Sequence, residues 1–303
     1  MYKHLKYQVV LHLIIFVWGF TAILGVYIQT DAFVLVWYRV LIAFVSLFLF
    51  LLIFRKKYWI TSKKELLSVL GVGVLVALHW LTFYLSIKVS TASLAIICLS
   101  TTTIHVAWLE PIIMKRKPIK SEVVLGLIII GGIFLTTQHQ TSSQQLLGII
   151  YGLIAALFAA LFATFNAKLI HTVSASKITL YEMFSATIVM TIILAFFGDF
   201  TLQKLQISTS DFLLLLFLGV VCTSIAFLVT VEITRFLGAF TVTLSINMEP
   251  IYTLILAAAL LHEYQELSFT FYLGATIIVA AVFGNALLKA KRRRKLRDNE
   301  KVE

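Results

Sequence analysis

Ten long apolar runs, separated by short polar joints, make up nearly the whole chain: 8–28, 32–54, 66–87, 92–113, 121–138, 147–166, 178–198, 211–233, 239–261 and 267–288. Each is close to the ~17–25 residues that a helix needs to cross a bilayer. The runs are continuous rather than alternating, which predicts helices and not the ~9–11-residue strands of a membrane barrel. A helix also satisfies its own backbone hydrogen bonds where no water is present. Runs of the second half start 139, 146, 145, 147 and 146 residues after their counterparts in the first. Four of these offsets agree within two residues, the mark of a duplicated five-helix unit. Five is odd, so the second copy enters the membrane upside down. Inverted repeats sharing a midplane path are the architecture of secondary transporters. The predicted fold is an all-α integral membrane protein of ten transmembrane helices in two inverted five-helix repeats, 1–143 and 144–303.

Composition agrees. Charged residues are 13% of the chain, about half the ~25% usual in soluble domains. Hydrophobic residues are 60% and mean hydropathy is +0.99, more apolar surface than 303 soluble residues could bury. The net charge of +11 would suit nucleic acid, but its distribution does not. With the N-terminus inside and ten crossings, 22 of 25 basic residues fall on the inner side: Lys3, Lys6, clusters at 55–64 and 115–120, Lys168, Lys177, Arg235 and the tail at 289–301. Only Arg39, Lys88 and Lys204 remain on the outer half. This asymmetry is the positive-inside rule and predicts two cytoplasmic termini. The basic tail reads as an anchor on anionic lipid, and the 55–64 segment, with Tyr58 and Trp59, as an interfacial anchor. Lys3 and Lys6 resemble the start of a signal peptide, but no small-x-small cleavage site ends the first run, which is therefore a span. Cys98 and Cys222 fall inside spans, which excludes a secreted disulfide framework. The uncharged stretch 139–145 is the predicted linker between halves. Gly71, Gly73, Gly126, Gly131, Gly132 and the alanines at 155–163 predict close helix packing.

Ionisable residues within spans are costly and mark candidate sites. Glu110, Glu182 and Glu232 lie near cytoplasmic ends of spans, where solvation at the interface or pairing with Arg116 or Arg235 is expected. Lys88 ends a span and is expected to be solvated. Glu249 is deeper, in the middle of the ninth run, and Pro250 follows it as a candidate hinge. Thr241, Ser245, Glu249 and Tyr252 or Thr253 share one helical face. Subtracting the offset of 147 maps Glu249 to Thr102, Pro250 to Thr103 and Tyr252 to His105, within the polar stretch Ser100, Thr101, Thr102, Thr103 and His105 of the fourth run. Two polar centres so related predict a substrate cavity between the repeats. Trp18, His79, Trp80 and Tyr84 are candidate walls, with helix packing as the alternative for each. Arg39 either snorkels outward or faces inward to an anionic substrate or a carboxylate. His105 has no second His or Cys at ligand spacing, so no metal site is expected.

The chain resembles the drug/metabolite transporter superfamily, in its EamA branch, along essentially its whole length. The resemblance rests on Trp18-Gly19, Tyr38-Arg39, Ser90-Thr91-Ala92-Ser93, Gly238-Ala239, Glu249-Pro250, and Glu263 thirteen residues after Pro250. It implies a ten-helix inner-membrane transporter, an exporter of amino acids, metabolites or toxic small molecules, with a central cavity built from both repeats. One departure stands out: Thr103 and Arg116 occupy positions where the family usually has proline and glutamate, while Glu110-Pro111 lies nearer the helix end.

Other classes find less support. His262-Glu263 is followed by Tyr264-Gln265-Glu266, so the zinc-protease motif is missing, and no Gly-x-Ser-x-Gly elbow is present. No phosphate-binding glycine loop suggests an ATP-driven pump, and no ring of like charge suggests a channel. The expected partners are a small-molecule substrate and the lipid bilayer, with a homodimer as a candidate assembly and no cofactor. Proton coupling through Glu249 is the candidate mechanism. Flipping of a lipid or lipid-linked solute is the alternative function, and a membrane-embedded enzyme a lesser one.

Overall fold

A computed structural model of the chain describes every residue except 1, 116–119, 138–141, 198–199, 238–241, 243–244, 266 and 300–303. The side chains of 2–5, 120–123, 137, 231–232, 234–235, 285–287 and 289–299 are also left undescribed. Arg116, Thr241 and Gly238-Ala239 therefore lie outside the described residues, as do the side chains of Glu232 and Arg235.

All the regular structure is helical among the described residues. The first half comprises α1 (Tyr2–Tyr27), α2 (Ala32–Ile53), α3 (Lys63–Val89), α4 (Ala92–Ser100), α5 (Thr102–Ile113) and α6 (Lys120–Thr137). The second comprises α7 (Ser143–Leu169), α8 (Ala175–Phe196), a short α9 (Leu202–Leu205), α10 (Thr209–Leu216), a π-helical stretch Phe217–Ile225 and α11 (Ala226–Leu237). After it come α12 (Glu249–Leu256), a second π stretch Ala257–Leu261 and α13 (Phe269–Asn299). Among the described residues, seven helical segments are long and apolar enough to cross a membrane, and 124–136, 249–261 and 269–284 are shorter apolar helices. All ten apolar runs thus carry helix. The last outlasts its run: α13 continues through the basic tail to Asn299.

Polar residues start most of the long helices where the runs predict. Asp31 accepts from the amides of Phe33 and Val34, Thr91 from Leu94 and Ser142 from Gln145, satisfying donors that a first turn leaves free. In α1, α2, α3 and α8, apolar side chains such as Leu13, Ile53, Leu67, Ile192 and Phe196 stay exposed. They form the surface that faces acyl chains.

The two halves interlock. α3 packs along both α7 and α8, and α2 lies against α8 and the first π stretch. Glycine permits the closest crossings. A Cβ on Gly73 would lie 2.6 Å from Ser185 Cβ and 2.7 Å from the Glu182 carbonyl oxygen. A Cβ on Gly152 would lie 2.6 Å from Cys98 Cβ. Because lipid tails are as apolar as leucine, such contacts, and not water exclusion, hold membrane helices together. Gly71 and Gly131 have open space instead, so the small-residue pattern marks packing only in part.

Candidate functional site

The two polar centres share one backbone geometry. In the fourth run the chain turns tightly at Thr101: its N–H donates to Cys98 O, while Thr101 O accepts from Ile104 N and His105 N. In the ninth run Met248 N donates to Ser245 O, while Met248 O accepts from Ile251 N and Tyr252 N. Every partner is displaced by 147 residues, so a helix begins anew at Thr102 and at Glu249. The causes differ. Pro250 occupies the first turn of α12, where its missing N–H costs nothing, so it starts a helix instead of bending one from within. The first half has no proline there; the hydroxyls of Ser100, Thr101 and Thr102 donate to the carbonyls of Ile97, Cys98 and Leu99, each at 2.6 Å. Side-chain hydroxyls that bond back along a helix compete with its amides and bend it.

Arg39 does not snorkel. It is 3% exposed and points into the bundle. Its Nε donates to Thr223 Oγ1 at 3.2 Å and its Nη1 to the Tyr84 hydroxyl at 3.0 Å, while the guanidinium carbon lies 4.0 Å from the Trp80 ring centroid. The Tyr84 hydroxyl passes on a donor to Thr21 O at 3.3 Å. A guanidinium has five N–H donors in a fixed fork, and these bonds use two of them. No ion pair joins Arg39 to Glu249 among the described residues.

The first π stretch supplies the opposite wall. Trp18 Nε1 donates to a carbonyl within it, Cys222 O, at 3.0 Å. Gly19 beside it lets α1 approach α12, where a Cβ would lie 3.3 Å from Thr253 N. The Trp18-Gly19 pair thus joins α1 to both interrupted helices of the second half. Trp18, Arg39, Trp80 and Tyr84 form one cluster, to which Thr223, Cys222 and Thr21 belong although sequence reading overlooked them. Single hydroxyls and a cysteine in an apolar run carry no distinguishing pattern.

Ser245 and Tyr252 line a separate groove of 590 Å³ with Gln8, Val9, His12, Leu13 and Phe16. The Tyr252 hydroxyl and His12 Nδ1 are 2.9 Å apart. His12 was also missed, although an ionisable ring twelve residues into the chain and inside an apolar run was a usable signal. His79 stands apart from both sets: its Nδ1 meets Ala155 O at 2.9 Å and its ring packs on Phe83 and Phe162, joining α3 to α7. His105 packs edge-on to Trp108 and its Nδ1 has no hydrogen-bond partner. Among the described residues no cluster of three or more His, Cys, Asp or Glu could hold a metal ion.

Two charged residues behave otherwise than expected. Lys88 is half-buried and donates through Nζ to Ile28 O, because its stem lies along α3 beneath the end of α1. Glu182 is 2% exposed, buried where α3 crosses α8, and not solvated at an interface. Glu110 is half-buried near the end of α5.

The end of the bundle that carries loops 28–31, 90–91 and 200–208 is closed by polar contacts between halves. Both oxygens of the buried Glu263 carboxylate accept 2.9 Å bonds, from Ala92 N and Ser93 N, at the start of α4. Gln29 N donates to Asp211 Oδ1 at 2.9 Å, and Lys204 pairs with Asp31 at 3.3 Å. Two of the short motifs, Ser90-Thr91-Ala92-Ser93 and Glu263, are therefore one contact. Hydrogen bonds to a charged group contribute about 1.5–3 kcal/mol each, so Glu263→Ala is expected to lower the thermal unfolding midpoint in detergent clearly, whereas Glu266→Ala serves as a nearby comparison. An unchanged midpoint would show that this contact does not hold the end closed.

No curated protein matches the chain. Among solved structures, a chain described only as a crystal structure of a protein superposes with a TM-score of 0.63 over 95% of this chain and 99% of its own, at 14% identity. That similarity shows the fold alone. A model of the EamA-like transporter family matches twice, at residues 6–138 and 146–287, covering both halves. With its apolar helices and its two matched repeats, this multi-pass membrane protein belongs to the EamA-like transporter family, within the drug/metabolite transporter superfamily.

Proposed function

We propose that the protein exports a small organic solute bearing a carboxylate and an apolar part, such as an amino acid or a toxic analogue, by alternating access. The observation that carries this reading is the pair of helix interruptions, identical in hydrogen bonding and 147 residues apart, in a bundle that also holds the buried Arg39. Interrupted helices at the midplane of inverted repeats are where transporters of this architecture bind substrate. Arg39 retains unused donors for a carboxylate, and Trp80, Tyr84 and Trp18 offer apolar and aromatic surface to the rest of the solute. The 590 Å³ groove beside α12 is of a size to hold a small molecule.

In this reading the chain crosses the cytoplasmic membrane ten times with both termini inside, as its basic residues favour. The two halves rock against each other, and the turns at Thr101 and Met248 with Pro250 absorb the motion. Glu249, at the start of α12, takes up and releases the counter-transported proton.

The test is efflux from cells that overexpress the protein, across a panel of amino acids and toxic analogues. Wild type should accelerate efflux of one class, and Glu249→Gln should remove its dependence on the proton gradient while the protein still inserts and folds. Persistent proton dependence in that variant would take Glu249 out of coupling. Efflux of no carboxylate-bearing solute, with movement of a fluorescent phospholipid instead, would favour the flippase reading.

A further inference from the structure

The two interrupted helices leave two arms that point to the same end of the bundle. α4 runs from that end to the turn at Thr101. α12 and the π stretch after it run back to that end from the turn at Met248. The arms pack on each other, and they belong to different matched repeats.

One side chain joins their tips. His262 takes a left-handed backbone, φ 55°, which ends the second arm, and Glu263 follows it. Its carboxylate is buried and accepts from Ala92 N and Ser93 N, one bond to each oxygen, both at 2.9 Å. Thr91, the residue before α4, accepts from the third amide, Leu94 N, at 3.1 Å. α4 thus caps one of its first three donors locally and two through the other repeat.

This contact is of a kind that can be made and broken repeatedly. A carboxylate and first-turn amides are hydrated when they part, so the net stabilisation is small beside the strength of the bonds themselves. Water is at hand, because His262 and Tyr264 on either side of Glu263 are exposed. The other polar ties at this end, Gln29 to Asp211 and Lys204 to Asp31, join neither arm. The groove lined by Gln8, His12, Ser245 and Tyr252 lies in the opposite half of α1, whereas the Tyr27 hydroxyl, in its last turn, donates to Leu260 O at the tip of the second arm. This conformation is shut at the Glu263 end and has its groove towards the other.

We propose that the Glu263 carboxylate on the start of α4 is a latch, which holds the two arms together in this conformation and lets go of α4 each time this end of the bundle opens. The opening itself rests on the transport reading above. When the latch breaks, the arms swing about Thr101 and Met248, and the carboxylate and both amides pass to water.

The experiment measures distances between two spin labels on the full chain in lipid nanodiscs, with Cys98→Ala and Cys222→Ala as background. One label goes to Gln265→Cys, two residues from Glu263. The other goes to Gln144→Cys, at the start of α7, which packs on α4 through Gly148 and Gly152. Both glutamines lie in the described residues and Gln144 is exposed, as is Gln265. Two variants attack the latch from opposite sides. Glu263→Gln removes the charge. Ala92→Pro removes one donor at a position where proline suits a helix start and Thr91 before it is already extended. Wild type should give one short distance. Each variant should add a longer one and raise its population relative to the short one by about tenfold or more, the shift expected when a hydrogen bond to a charged group is lost. The double variant should go no further than the stronger single one, because both act on one contact. Folded variants that keep the wild-type distance would make Glu263 a fixed staple and overturn the proposal. A change in only one of them would show that the carboxylate and the amide do not act together, and would overturn it too. No solute is needed, so a failure to find any exported compound counts against the transport reading and leaves these distances to decide the latch.

Discussion

Arg39→Ala is expected to abolish solute efflux, and Arg39→Lys to reduce it by about tenfold or more, the equivalent of ~1.4 kcal/mol. Alanine removes three interactions at once: the bond to Thr223, the bond to Tyr84 and the charge over the Trp80 face. Lysine keeps the charge, but a single ammonium cannot reproduce a planar fork held at Nε and Nη1 with further N–H groups left over for the proposed carboxylate. Efflux assayed beside the amount of inserted protein separates the two effects. If Arg39→Lys exports as well as wild type, any positive charge suffices, and bidentate recognition of a carboxylate is not how this residue works. If Arg39→Ala exports normally, Arg39 is structural only.

Gly73→Val should strip the protein of most of its thermal stability in detergent, while Gly71→Ala, two residues away on the same helix, should leave it unchanged or slightly improved. At Gly73 a Cβ would sit 2.7 Å from the Glu182 carbonyl oxygen and 3.0 Å from its Cα, atoms of a backbone that cannot rotate aside. α3 must then move off α8, and overpacking of this kind typically costs about 1–3 kcal/mol for modest intrusions. Valine adds two more carbons to the clash. At Gly71 nothing lies within 4 Å, and alanine in a helix is favoured over glycine by up to ~1 kcal/mol. Thermal unfolding of the two variants side by side is the measurement. Equal midpoints would mean that α3 and α8 are not in the close contact described.

Legibility followed locality. The helices, their starts at Asp31, Thr91 and Ser142, and the duplication are properties of neighbouring residues and of a repeat in the chain, so they were readable directly. The mapping of Glu249 onto Thr102 came from the offset alone, and the same offset recurs in the backbone bonds around both residues. Burial was less readable. Counting residues from the start of an apolar run placed Glu182 near an interface, because the run begins at 178 while α8 begins at Ala175 and α3 of the other half covers it. Lys88 was misjudged for the same reason: its partner, the Ile28 carbonyl, is 60 residues away in sequence. His79, Trp80 and Tyr84 looked alike as polar or aromatic residues on one helix. The structure divides them, since Trp80 and Tyr84 hold Arg39 while His79 faces α7.

The sequence by itself determined that this is a helical membrane protein built from two copies of one unit, because hydropathy and periodicity act through solvent and backbone, which every residue meets whatever its distant neighbours. It also marked Arg39 and Glu249 as residues needing an explanation, because a charge at membrane depth is costly in any fold. Only the tertiary structure decided that Arg39 turns inward to Tyr84 and Thr223, that Glu263 closes on the start of α4, and that Glu182 is buried under α3. Each of those outcomes depends on a partner on another element, for Arg39 and Glu263 between 45 and 184 residues away in sequence. Where the partners stand is set by which helices cross closely, and that is decided by single glycines such as Gly73, where the backbones touch.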